Sequence, residues 1–507
     1  MLRTAITENG KVRGIAAADP RITAFKGIPF AAPPTGKNRW RAPQPCQSWD
    51  GVMDCARFKP ISMQDTPGLG DGLYDREWHV DPNVPMSEDC LYLNVWTPAK
   101  SADEKLPVFV WYFGGGLQWG YPLEMEFDGE RMARRGIIVV TVNYRLGVFG
   151  FLAHPQLTAE QPDAPTNFGS LDQQAGLRWV VRNIAAFGGD PQNITIGGQY
   201  AGGGSVMSQI TCPDNFGLIK RAIVQSGMIR SPYMQDNFGK PTPLSEVEKR
   251  GEKFFCEYLG VRTLEEARKL DPFFIRDKYG EYAASNPRFF TNRDDKFAFG
   301  DPIKLCAQGK SANIQIMAGN TVDEFRSVIR ADSREELEKK AAEYFGEDAK
   351  RFLAIDEVYS GEEGFYGDVS GIECTCKALF LKYREIGNDF DCYYYTFNPD
   401  IPGDDHQGSF HSSELWFMFE TLAKCSRPFV GRHYDLARQM CNYWCNFIRS
   451  GDPNGPDADG TPMPRWEAYT KDSRCGMSFV SEGCVPVNKD TELVSFLVDE
   501  VAKKLSE

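Results

Sequence analysis

Short, nearly continuous apolar runs recur along the chain at 106–113, 136–143, 194–198, 222–226, 314–319 and 392–397. Runs of that length without alternation predict strands buried on both faces, the habit of a parallel sheet. Helical patterns lie between them. Residues 171–187 carry apolar positions at helical spacing and end in Gly188-Gly189-Asp190-Pro191, a stop signal followed by a predicted strand at 193–196. Further amphipathic helices are predicted over 245–259, 333–345, 432–448 and 491–505. Alternating strands and helices predict an α/β fold. The first fifteen residues alternate polar and apolar side chains around Asn9-Gly10 and predict a hairpin. The stretch 63–86 is long, irregular and rich in turn residues, the kind of loop that shapes a binding site. No repeat and no low-complexity tract divides the sequence, so residues 1–507 are expected to form a single domain with long insertions.

Composition narrows the picture. Apolar residues make up 42% and aromatic residues 13%, enough for a sizeable core, which excludes disorder as the main state. The balance of 57 Lys plus Arg against 70 Asp plus Glu gives −13, and no basic block offsets it, so nucleic acid is not an expected partner. No apolar run reaches the ~18 residues that a spanning helix needs, so no membrane segment is expected. The N-terminal residues lack a basic segment followed by an apolar core, and the fourteen cysteines are scattered without repeated spacing. Reduced thiols in a cytoplasmic protein are expected. Cys374-Thr-Cys376 is too tight for a zinc knuckle, and Cys441 and Cys445 stand at helical spacing with no His beside them, so no metal is expected.

Two glycine clusters each follow a predicted strand, where ligands bind in open α/β sheets. In Phe113-Gly114-Gly115-Gly116-Leu117 the spacing misses the dinucleotide pattern. The run suits an oxyanion hole, because glycines let backbone N–H groups approach a developing negative charge; a simple tight turn is the other reading. The second cluster, 195–205, lacks the Lys of a phosphate loop but has Gly198 and Gly202 flanking position 200. That is the spacing of a strand-turn-helix elbow that lifts a nucleophile above a sheet. Position 200 is Tyr.

Several separated motifs agree in one resemblance. Ser87-Glu88-Asp89-Cys90-Leu91-Tyr92-Leu93-Asn94-Val95-Trp96, the run Gly114 to Gly116, Val142-Asn143-Tyr144-Arg145 and the stretch 167–174 come first. The elbow, Gln225-Ser226-Gly227, Asp323-Glu324 and Phe410-His411-Ser412-Ser413-Glu414-Leu415 follow in order. The chain resembles the type-B carboxylesterases, the cholinesterase and carboxylesterase group of the α/β-hydrolases. The resemblance implies a twisted, mostly parallel sheet flanked by helices and hydrolysis of carboxylic esters through an acyl-enzyme, without cofactor. By position it implies Gly115, Gly116 and Ala201 as oxyanion donors, His411 as general base, Glu324 as its orienting acid, and Ser226 and Gln199 as supporting groups. Composition alone does not choose His411 over His79, His154, His406 or His433. The cysteine that secreted members pair with the one matching Cys90 is missing from 60–64, which agrees with the cytoplasmic expectation.

The family carries its nucleophilic serine where this chain has Tyr200. A phenol oxygen lies ~6.5 Å from its Cα and a serine oxygen ~2.4 Å, which misplaces any attacked carbonyl relative to donors that must be ~3 Å from the oxyanion. A phenol of pKa ~10 is also about one part in a thousand ionised at neutral pH. Ser205, one helical turn on, is expected to face the packing. The chain is therefore expected to be an esterase framework nearly inert toward ordinary esters, with an esterase-like binding protein as the alternative. Trp119, Tyr121, Phe325, Trp416 and Phe417 predict a largely apolar gorge for small to medium esters.

Overall fold

The computed structural model describes residues 1–229, 241–457 and 460–506. Its main sheet has eleven strands: β1 Ile15–Ala16, β2 Thr23–Pro29, β3 Tyr92–Thr97, β4 Leu106–Tyr112, β5 Ile138–Val142, β6 Gly189–Gln199, β7 Arg221–Gln225, β8 Gln315–Thr321, β9 Tyr393–Asn398, β10 Gly476–Val480 and β11 Gly483–Val487. The spatial order is β11-β10-β9-β8-β7-β6-β4-β5-β3-β2-β1. From β5 to β10 every neighbouring pair is parallel, and antiparallel strands close both edges. All six apolar runs fall on strands of the parallel block. Register sets Val140, Val110, Ile196, Ala222 and Ile316 in one row across five strands, each fully buried. Each Val or Ile in such a row contributes about 1.5–3 kcal/mol relative to exposure.

Helices cover both faces, among them α1 Phe168–Asn183, α2 Ala201–Thr211, α3 Gly371–Glu385 and α4 Gly431–Ser450. The helix predicted over 171–187 starts three residues earlier and ends in a 3-10 turn, Ile184–Phe187, stopped by Gly188 at φ +84°. The helix predicted over 245–259 is Leu244–Lys253 continued by a π-turn, and those at 333–345 and 491–505 are Arg334–Phe345 and Glu492–Ser506. Strand β6 begins at Gly189, earlier than predicted, because Leu106 pairs with Gly189 and an irregularity before Val108 leaves room for Pro191. The N-terminal hairpin pairs Thr4–Thr7 with Gly10–Arg13 and takes Val52–Asp54 as a third strand.

Two of the sequence motifs are buried ion pairs that fix loops to the sheet. Arg39 grips Glu88 through two bonds of 2.6 and 2.7 Å, and Arg145 grips Asp172 through Nε and Nη2 at 2.8 and 2.7 Å. Breaking one partner of such a pair strands a buried charge. All fourteen cysteines are free, Cys90 among the buried ones. Among the described residues no helix is long and apolar enough to cross a membrane, and no cluster of three metal-binding side chains occurs.

Candidate active site

Tyr200 stands at the junction of β6 and α2 with φ +55° and ψ −116°. A bulky residue at positive φ is an outlier whose strain costs about 1–3 kcal/mol, and it persists where the surroundings over-determine the turn. Here the surroundings are glycines. A Cβ on Gly202 would lie 2.1 Å from the Tyr112 carbonyl oxygen, and one on Gly198 would lie 2.4 Å from the Gly202 backbone. The turn is pinned by Tyr200 N donating to Gln225 O at 2.9 Å and Gly204 N donating to Tyr200 O at 2.8 Å.

Glu324 follows the end of β8, and its carboxylate is fully engaged. Oε1 accepts from Thr321 N at 2.9 Å and from the Ser226 hydroxyl, while Oε2 pairs with His411 Nδ1. Burial pushes the Glu324 carboxyl up, but the His411 ring and these hydrogen bonds outweigh it and hold the group below its ordinary value. On the other side of the ring, Gln199 Nε2 donates to His411 Nε2 at 3.1 Å, which puts the ring proton on Nδ1, toward Glu324. Tyr74 donates its hydroxyl to the His411 carbonyl at 3.0 Å. Behind this group Glu414 is buried, with Gln225 Nε2 at 3.5 Å, and burial and the Glu324 charge push its carboxyl up to about 8.

The Tyr200 ring stacks on Phe325 at 5.7 Å between centroids and meets His411 edge-on at 4.8 Å. Burial and the Glu324 charge push its phenol up, and no hydrogen bond among the described residues favours the phenolate. Gly115 and Gly116 stand at φ +97° and +61°, and a Cβ on Gly116 would come within 4.0 Å of the Tyr200 ring. The ring therefore lies against the glycine run. Ala201 opens α2, where helical N–H groups lack internal partners.

These groups border a cavity of about 740 Å³. Trp119 and Phe325 line it as expected. Trp416 and Phe417 do not: Trp416 is buried behind Trp78 at 5.8 Å, and Phe417 packs against Phe397 and Phe429, so both belong to the core. The lining surface is largely apolar, as expected, with acidic groups set into it. Asp65, Asp75, Glu124, Glu126, Asp323 and Glu324 all border the space. Much of the wall comes from the turn-rich stretch, which carries Tyr74, Trp78 and His79 to it. Ser205 points into packing, donating to Ala201 O and accepting from Gln173.

Residues 3–368 and 366–496 match the carboxylesterase family. The chain belongs to that family. It is 31% identical to a cholinesterase of Mus musculus over 496 residues, covering 90% of this chain and 80% of that protein. It is 30% identical to a fumonisin B1 esterase of Sphingopyxis macrogoltabida over 483 residues, covering 91% and 84%. Among solved structures, a carboxylesterase of Geobacillus stearothermophilus superposes with a TM-score of 0.74 at 28% identity, covering 98% of this chain and 99% of that one. The fold is accordingly that of an α/β-hydrolase, and the family and relatives support a carboxylic ester hydrolase.

In this carboxylesterase-family chain the fold brings together Tyr200, Glu324, His411, Gln199 and Ser226, residues drawn from four separate stretches of sequence. Of the other histidines, His79 faces Glu124 at 3.6 Å and His154 caps a helix, accepting from Gln156 N. Sequence reasoning missed Tyr74, Trp78, Glu124 and Glu126, because loop residues that face a cavity carry no periodicity to mark them.

Proposed function

We propose that the chain is a serine-esterase framework in which Tyr200 occupies the nucleophile position, leaving it nearly inert toward ordinary esters. One observation carries this reading: His411 Nε2, the atom that would take the nucleophile's proton, accepts from Gln199, while the Tyr200 phenol has no hydrogen bond among the described residues. With a serine at 200, His411 would remove the hydroxyl proton as it attacks the ester carbonyl, and Glu324 would stabilise the imidazolium. The N–H groups of Gly115, Gly116 and Ala201 would receive the oxyanion, and His411 would return the proton to the departing alkoxide. Water then repeats the sequence on the acyl-enzyme. The chemistry needs no cofactor. A cavity of about 740 Å³ suits esters of small to medium size. The free cysteines support a cytoplasmic location. An esterase-like binding protein is the second reading, favoured by the cavity that stays open beside the Tyr200 ring.

The test is hydrolysis of p-nitrophenyl acetate and butyrate by this chain and by Tyr200→Ser. A missing triad serine leaves only ~10³–10⁴ over water, so the serine form is expected to be faster by ~10⁴ or more. Turnover by the tyrosine form at a comparable rate refutes the reading; two inactive forms favour the binding protein.

A further inference from the structure

Beside the main cavity lies a second one of about 220 Å³, and the two share Gln64, Asp65 and Trp119 as a common wall. Gln118, Arg276, Tyr279 and Arg288 also line this side cavity. Arg288 is held there by a closed set of bonds around its neighbour Phe289. Phe289 N donates to the Tyr279 hydroxyl at 3.0 Å, that hydroxyl donates to Gln118 Oε1 at 2.8 Å, and Gln118 Nε2 donates to Phe289 O at 2.9 Å. The Arg288 guanidinium lies over the Trp119 ring, 4.6 Å from its centroid. Stacking of this kind covers one face of the cation and leaves its N–H groups free at the edge. Arg288 is half-buried and has no carboxylate or hydrogen-bond partner among the described residues, whereas Arg276 is paired with Asp277 at 2.6 Å. Trp119 also reaches the reaction side. Its Cζ3 lies 3.8 Å from where a Cβ on Gly116 would stand, a point 4.0 Å from the Tyr200 ring. With the width of the indole added, the guanidinium is within about 11 Å of the glycine run.

We propose that the side cavity is a subsite for a carboxylate, so that the ester this protein takes carries an ionised acid group a short aliphatic chain away from the scissile bond. The inference rests on reading the main cavity as the ester site. A carboxylate matches the guanidinium fork with two parallel N–H···O bonds, the geometry in which a planar, stacked arginine binds an anion best. An ammonium would meet Arg288 with like charge, and an alkyl end would leave the cation unmatched. The acids of the main cavity sort the two ends of such a ligand. Asp75, Glu124 and Asp323 border that space and repel an anion, which turns the carboxylate toward Arg288 and the neutral ester toward Gly115 and Gly116. Asp65, the acid in the lining of the side cavity, is exposed, and its Oδ2 accepts from Trp119 Nε1 at 3.2 Å. It therefore sits at the edge of the indole, off the ring face that Arg288 covers.

The test uses the full chain with its tryptophan indoles labelled with ¹⁵N, the Trp119 resonance being assigned with Trp119→Phe. Monomethyl adipate and 4-acetoxybutanoate carry the carboxylate on the acid and on the alcohol half of the ester; dimethyl adipate and methyl 6-aminohexanoate are the neutral and cationic controls. At least one of the two anions is expected to shift the Trp119 resonance saturably and to bind about tenfold or more tighter than dimethyl adipate, and the tighter of the two assigns the carboxylate to its half of the ester. Arg288→Gln is expected to lose about tenfold or more in that affinity, and Arg288→Lys, which keeps the charge without the fork, to fall between. Arg276→Gln is expected to change it less than about threefold, since that cation is already paired at the surface. No saturable shift with either anion, equal affinity for dimethyl adipate, tighter binding of methyl 6-aminohexanoate, or unchanged affinity in Arg288→Gln overturns the proposal. The readout needs no turnover, so its failure is distinct from failure of the esterase reading, which rests on Tyr200→Ser alone.

Discussion

Glu414 provides a quantitative handle on the electrostatics behind the site. Its side chain is buried, Oε2 has no hydrogen-bond partner among the described residues, and burial together with the Glu324 charge raises its carboxyl from 4.5 to about 8. In the unfolded chain the group ionises near 4.5, so folding at neutral pH must take up a proton. Stability from this residue is therefore complete below about pH 4.5 and is lost as pH rises toward 8. At 1.36 kcal/mol per pKa unit, the loss is on the order of 3 kcal/mol at pH 7 and on the order of 1 kcal/mol at pH 5. Glu414→Gln keeps the shape and an acceptor for Gln225 while removing the titration. It is expected to stabilise the protein by about 3 kcal/mol at pH 7, a rise of a few degrees in Tm for a chain this long, and by about 1 kcal/mol at pH 5. Thermal unfolding of both forms from pH 5 to pH 8 makes the measurement. A gain that does not change with pH, or a loss at pH 7, would refute the argument, because either would mean that Glu414 is ionised in the native state.

Two further substitutions probe the surroundings. Lys377 is buried on α3 between Glu373 and Asp490 at 2.6 and 2.5 Å, and the Tyr469 hydroxyl donates to the same Asp490 at 2.6 Å. Lys377→Met would leave the Asp490 carboxylate buried without its cation and is expected to cost about 3–5 kcal/mol in urea unfolding. Ser226 acts through Glu324, so in the Tyr200→Ser background Ser226→Ala is expected to lower kcat by about 10- to 100-fold while leaving KM near its starting value, the worth of a hydrogen bond to a charged group. A change confined to KM would argue that Ser226 touches substrate instead.

Most of the sheet was readable from the sequence, because strands covered on both faces must be apolar at every position, as Val108 to Tyr112 and Ile138 to Val140 are. Its boundaries were less readable: β6 extends back through Asp190 and Pro191, which look like a stop signal until the pairing of Gly189 with Leu106 supplies the reason. The elbow could be placed because Gly198 and Gly202 have a steric cause independent of what stands between them. The cavity lining could not be placed in the same way. Trp416 and Phe417 follow directly after the His411 motif, yet their short helix turns them into the core, while Trp78 and Glu126 reach the cavity by a path that no local pattern encodes.

The same steric cause explains how a large chemical change at position 200 leaves the framework standing. The backbone there is set by the contacts of Gly198 and Gly202 and by the bond from Tyr200 N to Gln225 O, none of which involves the Tyr200 side chain. Among the described residues, the ring beyond Cβ meets Phe325, the His411 edge and the Gly116 surface. Serine would keep the positive-φ strain, since it too has a Cβ, and would give up mainly the stacking on Phe325, worth about 0.5–1.5 kcal/mol. Tyr200→Ser is accordingly expected to fold with a small loss of stability while exposing His411 Nε2 to a hydroxyl within reach. Such a site separates cleanly into a scaffold fixed by glycines and a chemistry fixed by one side chain.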